Sequence, residues 1–180
     1  GSGLVGWEMC IRDRLETLLI QIAGITGNAE VDLSRRGLIA MCADNGVVEE
    51  GVTQTGQEVT AIVAENFLKY DTSVGVMCKQ NHAEIFPVDM GMVTDTKVRT
   101  DHKIAYGTQN MTKGPAMTRE QAVKGLEAGI DMVRELNDKG YRILATGEMG
   151  IGNTTTSSAV ASVLLKQPVE EMTGRGAGLT

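Results

Sequence analysis

Three short apolar runs, each too short for a helix, alternate along this chain with longer segments of helical periodicity. The runs span residues 38–43, 85–89 and 141–146. Continuous apolar runs of this length are typical of strands buried on both faces, and parallel strands are usually connected through helices. The alternation therefore predicts an α/β fold with a doubly wound, Rossmann-like parallel sheet and helices on both faces. Pro87 favours an edge position for the second strand.

Helical segments separate and follow these runs. Residues 118–140 open with a capping-box pattern, in which Thr118 and Gln121 are positioned to exchange hydrogen bonds. The apolar residues of this helix share one face, as in an amphipathic helix; they are Ala122, Leu126, Ile130 and Val133. Further helices are predicted over residues 15–23, 55–70, 72–79 and 156–165. Residues 95–113 lack periodicity, which indicates a long loop or an irregular strand.

The charge balance excludes two classes of partner. The chain has 180 residues, a formal net charge of -6 and a hydrophobic content of 42%, which are ordinary values for a soluble globular domain. A net negative charge without a basic stripe disfavours nucleic acid and anionic membrane as partners. No apolar run approaches the length of a membrane span.

Cysteine and histidine usage argues against disulfides and metal. Cys10, Cys42 and Cys78 lack Cys-x-x-Cys spacing and are predicted to be buried thiols in a reducing cytoplasm. His82 and His102, the only histidines, have no partner at ligand spacing. We expect neither a metal nor a cofactor.

The first fourteen residues differ in character from the rest. Gly1 and Ser2 resemble a cloning scar, and the segment after them does not look like a natural helix start. We expect residues 1–14 to be a non-native leader or tag. Residues 15–180 are then expected to form one α/β nucleotide-binding domain.

Polar residues with a neighbouring glycine follow each predicted strand. Asp44, Asp89 and Glu148 take these positions. In open parallel sheets the carboxyl ends of the strands border the ligand crevice. Three such positions together predict a pocket for a small molecule, with Asp44 and Glu148 among its residues.

A glycine-rich turn joins the third strand to the last helix. It runs from Gly147 to Thr155 and contains Gly150 and Gly152. A strand, a glycine turn and a helix N-terminus together present backbone N–H groups to an anion. The spacing matches neither the dinucleotide fingerprint nor the Walker loop, and a plain structural turn is an equal alternative on the glycines alone. A phosphate would repel Glu148, so this apparently buried carboxylate is expected to face a sugar hydroxyl or a developing positive charge.

Longer motifs carry a resemblance to a known family. They are Met41-Cys42-Ala43-Asp44-Asn45-Gly46-Val47, Gly147-Glu148-Met149-Gly150-Ile151-Gly152-Asn153-Thr154-Thr155 and Thr173-Gly174-Arg175-Gly176-Ala177-Gly178-Leu179. Together they closely resemble the nicotinate-nucleotide:dimethylbenzimidazole phosphoribosyltransferases. The resemblance covers nearly everything after the leader.

The resemblance implies a cytoplasmic enzyme of cobalamin lower-ligand assembly. Such an enzyme moves the phosphoribosyl group of nicotinate mononucleotide to 5,6-dimethylbenzimidazole, giving α-ribazole 5′-phosphate and nicotinate. It also implies a homodimer, with a doubly wound domain and a smaller helical domain that would be incomplete in this chain.

The same resemblance implies roles for individual residues. Glu148 would stabilise an oxocarbenium-like ribose, and Gly150 would let the ring approach the backbone. The phosphate would be bound by Gly174, Arg175 and Gly176, assisted by Asn153 and Thr154. The benzimidazole would lie near Thr55, Val63 and Met149, although ordinary core packing explains Val63 and Met149 equally well.

One family feature has no counterpart in these residues. The family's general base is a glutamate in a C-terminal segment, and this chain stops at Thr180. We therefore expect a truncated copy with doubtful turnover. Two alternatives remain open at this point, a non-catalytic nucleotide-binding module and an inactive structural fragment.

Overall fold

The computed structural model describes residues 12–176 and divides the chain into two units, residues 1–35 and 36–180. In the first unit a π-helical turn, Arg12–Glu16, leads into helix α1, Thr17–Thr26, which ends at Gly27 in the left-handed conformation. The helix predicted over residues 15–23 is confirmed, shifted towards the C-terminus. Most of the predicted leader lies outside the described residues.

A parallel sheet organises the second unit. Its strands are β1, Arg36–Ala43, β2, Ala83–Gly91, and β3, Ile143–Met149, in the spatial order β2-β1-β3. Both neighbours pair with β1 in parallel. The predicted α/β fold with a parallel sheet is confirmed, and Pro87 lies on an edge strand of the described sheet, where its missing N–H is tolerated.

Helices connect and follow the strands. Between β1 and β2 lie a 3-10 turn, Gly46–Glu50, and helices α2, Glu58–Lys69, and α3, Ser73–Gln80. Helix α4, Arg119–Asp138, connects β2 to β3, and α5, Asn153–Leu165, and α6, Val169–Met172, follow. Residues 95–113 form an irregular loop as expected, with one isolated bridge between Val88 and Arg99. Within residues 12–176 no helix has the length and apolarity needed to cross a membrane.

Helices cover both faces of the sheet because side chains alternate along β1. Ala40 and Cys42 point to a core that contains Ala64 and Phe67 of α2. Ile39 points to the opposite core, which contains Met132 and Leu136 of α4. This arrangement is the doubly wound packing predicted from the continuous apolar runs.

The buried face of α4 differs from the one that the sequence pattern indicated. Leu126 is 72% exposed and Ile130 is 50% exposed, whereas Ala128, Met132 and Leu136 are buried. Both sets recur at helical spacing, so periodicity alone did not separate them. The capping box at Thr118 is present as predicted.

The strand order creates a switch point beside β1. From β1 the chain moves to β2 on one side, and it later returns to β3 on the other side. Because β2 and β3 lie on opposite sides of β1, a crevice forms at the carboxyl end of β1. Ligands of open α/β sheets bind in such a crevice. The glycine-rich turn after β3 lies at this crevice.

Candidate functional site

An open cleft of about 770 Å³ lies beyond the carboxyl end of β3. Three separate segments line it: residues 52–55, which follow β1, residues 149–155 together with 157 and 158, and residues 173–176. The structure thus brings Thr55, which the resemblance assigned to the benzimidazole, to the same cleft as the glycine-rich turn and the Gly174–Gly176 loop, which it assigned to the phosphoribosyl group.

Glu148 lies in β3 rather than in the turn. Its position is set by the parallel register, which pairs Met41 with Glu148 and Cys42 with Met149. The side chain is exposed, so the expectation of a buried carboxylate is wrong. Its Oε2 accepts a hydrogen bond from Asn153 Nδ2, which holds the carboxylate near the start of α5.

Helix α5 begins at Asn153, three residues earlier than the sequence pattern indicated. Gly152 allows this early start because it adopts φ 85°, a conformation that favours glycine. Asn153 Oδ1 accepts from the N–H of Thr154 at 2.7 Å, and the first turn contains no acidic residue. The positive end of this helix is therefore compatible with an anion.

The Gly174–Gly176 loop lies against the same helix end. Gly176 has φ 60°, and a Cβ added there would lie 3.1 Å from Thr154 Oγ1. The two segments expected to bind phosphate, about twenty residues apart in sequence, are thus neighbours. Arg175 also lines the cleft.

Gly150 fixes the distance between the turn and β1. A Cβ at this position would lie 2.2 Å from the carbonyl oxygen of Ala43 and 3.0 Å from Asn45 Nδ2. Only glycine permits such an approach of two backbones. The turn is consequently seated directly on the end of the central strand.

Two of the predicted strand-end carboxylates have structural partners instead of lining the cleft. Asp44 is fully buried, and its Oδ2 accepts from the N–H of Val93 at 2.8 Å. Asp89 is equally buried, accepts from the N–H groups of Gly91 and Met92, and pairs with Lys103 at 3.1 Å. A substrate role for Asp44 stays a prediction.

The residues expected near the benzimidazole separate in space. Thr55 and Met149 line the cleft. Met149 also packs against the core beside α2, and Val63 packs there without lining the cleft. Their role in acceptor binding stays a prediction.

Three carboxylates lie near the Cys42 thiol at the carboxyl edge of the sheet. Burial and then the charge of Asp89 raise the pKa of the Cys42 thiol from 9.0 to about 12, and Glu148 and Asp44 act in the same direction. Cys42 is therefore a neutral, unreactive thiol. In the part of the chain that the structure describes, no group of three or more His, Cys, Asp or Glu side chains is arranged to hold a metal ion.

Some residues at the cleft escaped sequence reasoning. Ser157 and Ser158 line it one helical turn beyond Asn153 and Thr154, so the i, i+4 spacing was the available signal. Val52, Thr53 and Gln54 also line it.

Comparisons with known proteins agree with this geometry. A family model described as phosphoribosyltransferase matches residues 13–180. The nicotinate-nucleotide:dimethylbenzimidazole phosphoribosyltransferase of Ruminiclostridium cellulolyticum is 50% identical over 169 residues, which are 93% of this chain and 48% of that protein. The protein of the same name from Clostridium acetobutylicum is 50% identical over 168 residues, 92% of this chain and 48% of its own length.

The fold has a counterpart among solved structures. The crystal structure of CobT from Thermus thermophilus superposes with a TM-score of 0.85 at 35% identity, covering 93% of this chain and 51% of that chain. The chain spans about half the length of the relatives it matches. The chain belongs to the phosphoribosyltransferase family that includes the nicotinate-nucleotide:dimethylbenzimidazole phosphoribosyltransferases.

Proposed function

We propose that this chain binds nicotinate mononucleotide in the cleft beyond β3 and contributes the phosphoribosyl side of a transfer to 5,6-dimethylbenzimidazole. The products would be α-ribazole 5′-phosphate and nicotinate, in the assembly of the cobalamin lower ligand. The observation that carries this proposal is the meeting of the start of α5 and the Gly174–Gly176 loop at one cleft, with Glu148 hydrogen-bonded to the cleft residue Asn153.

The phosphate is assigned to the space between α5 and the Gly174–Gly176 loop. The first turn of α5 contains no acidic residue, and the positive end of its dipole favours an anion. Gly176 and Thr154 are neighbours, since a Cβ added at Gly176 would lie 3.1 Å from Thr154 Oγ1, so both segments reach the same phosphate. Arg175 adds a positive charge to this part of the cleft.

The ribose is assigned to the space beside Glu148. The glycosidic nitrogen of the nucleotide is cationic and becomes neutral when nicotinate leaves, so the leaving group needs no acid. The developing charge is on the oxocarbenium-like ribose. An exposed carboxylate held by Asn153 supplies a fixed negative charge and accepts hydrogen bonds from ribose hydroxyls.

The acceptor is assigned to the side of the cleft formed by Thr55 and Met149. A flat aromatic base packs favourably against a thioether side chain. We include Val63 in this proposal as support for the cleft wall, because it packs against the same core cluster as Met149. Asp44 is included as the buried carboxylate that stabilises the end of β1 behind the site.

A cytoplasmic homodimer completes the proposal. Apolar side chains on α4 recur with the 3-4-3 spacing of a helix-packing seam and are exposed, as Val123, Leu126, Ile130 and Val133. An exposed apolar stripe of this kind is typical of an association surface. Cys42 and Cys78 are free thiols, which suits a reducing compartment.

Nucleotide affinity tests the proposal without requiring turnover. Isothermal titration calorimetry is expected to detect nicotinate mononucleotide binding to the wild-type chain. Glu148→Gln should weaken that binding about tenfold, because hydrogen bonds from ribose hydroxyls to an ionised acceptor are stronger than those to an amide. Glu170→Gln, which removes an exposed charge from nearby α6, should leave the affinity within about twofold.

Two results would contradict the proposal. Absence of any nucleotide binding by the wild-type chain would exclude the function itself. Equal affinities for wild type and Glu148→Gln would exclude the ribose role of Glu148 while leaving the phosphate assignment in place.

A further inference from the structure

Side chains from two other segments form hydrogen bonds with the glycine-rich turn at Ile151. The N–H of Ile151 donates to Thr60 Oγ1 at 3.1 Å, and the carbonyl oxygen of Ile151 accepts from Asn45 Nδ2 at 3.1 Å. Both backbone polar groups of this residue are therefore bonded to side chains 91 and 106 residues away in sequence. A turn can form through hydrogen bonds among its own residues and does not need side chains from distant parts of the sequence.

Asn45 also binds the helix that follows the turn. Its Oδ1 accepts from Thr156 Oγ1 at 2.9 Å, one turn into α5. The amide thus donates to the turn and accepts from the helix, a combination that a carboxylate or an apolar side chain cannot reproduce. Gln57 Nε2 donates to the backbone oxygen of Asn45 at 3.0 Å, which in turn holds Asn45 in place.

Thr60 accepts the other hydrogen bond of Ile151, from its N–H. It lies on α2 and is fully buried, so its hydroxyl has no access to solvent. A buried hydroxyl is costly unless it is hydrogen-bonded, and here it accepts a hydrogen bond from the N–H of Ile151. Neither Thr60 nor Asn45 lines the cleft, so any effect on a ligand must pass through the turn.

We propose that Asn45 and Thr60 are positioning residues for the nucleotide phosphate. They hold Ile151 in place, as a clamp, and thereby fix the orientation of Gly152, Asn153 and Thr154, which line the cleft, before the ligand arrives. Preorganisation of this kind removes the ordering cost from binding. The inference rests on the proposed function, since the phosphate is the ligand that the turn would hold.

The test combines a ligand-free and a ligand-dependent measurement. Thr60→Val keeps the shape of the side chain but removes the hydroxyl, and Thr60→Ser keeps the hydroxyl. In the absence of ligand, hydrogen exchange of the amides of residues 150–154 should become about tenfold faster in Thr60→Val and return to the wild-type rate in Thr60→Ser. Affinity for nicotinate mononucleotide by calorimetry should fall about tenfold in Thr60→Val and recover in Thr60→Ser.

Asn45→Ala provides a second variant if the buried Thr60→Val chain does not fold. It should show the same two changes, with exchange in β1 unaffected as a control for global stability. Unchanged exchange in residues 150–154 would overturn the clamp whatever the ligand does. Faster exchange with wild-type affinity would overturn the positioning role. If the wild-type chain binds no nucleotide, the proposed function and the positioning role fail together, and the exchange data still decide whether the clamp exists.

Discussion

Gly150 lies where the glycine-rich turn crosses the end of β1, with no space for a side chain. An added Cβ would lie 2.2 Å from the backbone oxygen of Ala43, a distance that can be relieved only by moving one of the two backbones. Gly147, near the end of β3, provides the contrast. The nearest atoms would lie 3.9 Å from a Cβ added at Gly147, which is ordinary van der Waals contact.

We expect Gly150→Ala to lower the free energy of unfolding by about 1–3 kcal/mol, since overpacking forces the turn away from β1. Nucleotide affinity should fall with it, because the turn carries the start of α5. Gly147→Ala is the matched control and should change stability by no more than about 0.5 kcal/mol. Urea denaturation of both variants measures the difference, and equal stabilities would show that the turn tolerates displacement.

The residue types at the site were predictable, but their environments were not. The glycine-rich turn after a strand identified Glu148, and the family resemblance added Asn153 and Thr154. The sequence did not show that Glu148 would be exposed while Asp44 and Asp89 would be buried. Burial depends on the loop of residues 95–113 and its neighbours covering the ends of β1 and β2, and that contact leaves no local sequence pattern.

At the scale of elements, ion pairs attach the irregular loop to α4. Arg99 lies beside β2, where its carbonyl oxygen accepts from the N–H of Asp89 at 2.8 Å. Its guanidinium pairs with Glu135 of α4 at 2.7 Å, and Lys139 pairs with the same carboxylate. Hydrogen bonds from Arg99 and Lys139 lower the pKa of Glu135 from 4.5 to about 2.

This network predicts a specific acid sensitivity. Because the pKa of Glu135 is lowered by folding, its contribution to stability is complete above pH 4.5 and is lost as the pH falls towards 2. Glu135→Gln should reduce the free energy of unfolding at pH 6 by up to about 1 kcal/mol, since the pair is partly exposed and screened by salt. The difference in the free energy of unfolding between the wild type and Glu135→Gln should shrink as the pH is lowered below 4.5.

Chemical denaturation between pH 6 and pH 3 measures this difference. Glu127→Gln, an exposed glutamate of the same helix, controls for the loss of one negative charge. A deficit that stayed constant over the pH range would show that Glu135 stabilises the fold by packing rather than by charge.

The apolar periodicity of α4 does not determine which face of the helix is buried. Residues 122, 126, 130 and 133 match an amphipathic helix as well as residues 128, 132 and 136 do. The structure buries the second set against the sheet. The existence of the helix and its cap follow from local sequence preferences. Which of its two apolar faces becomes buried depends on how the helix packs against the sheet.

For the whole molecule, the exposed stripe on α4 makes association testable. If the proposed homodimer forms through this stripe, light scattering should give twice the chain mass of 19.2 kDa. Leu126→Glu should shift the mass to that of one chain, because a charge at the centre of an apolar contact is costly to bury. Ile62→Glu, on the exposed side of α2, should leave the mass unchanged, and a monomeric wild type would contradict the proposal.

The strands, most helices and the glycine-rich turn follow from the amino-acid sequence, because apolar periodicity, capping residues and glycines act within a few residues of one another. The α/β class follows too, since buried parallel strands require helical crossovers. The assembled site does not follow in the same way. Asn45 reaches Ile151 across 106 residues, and Gly176 meets Thr154 only because α5 and α6 return the chain to the cleft. Contacts of this kind depend on the path of the chain through space, so they are decided only when the sheet order and register bring the segments together.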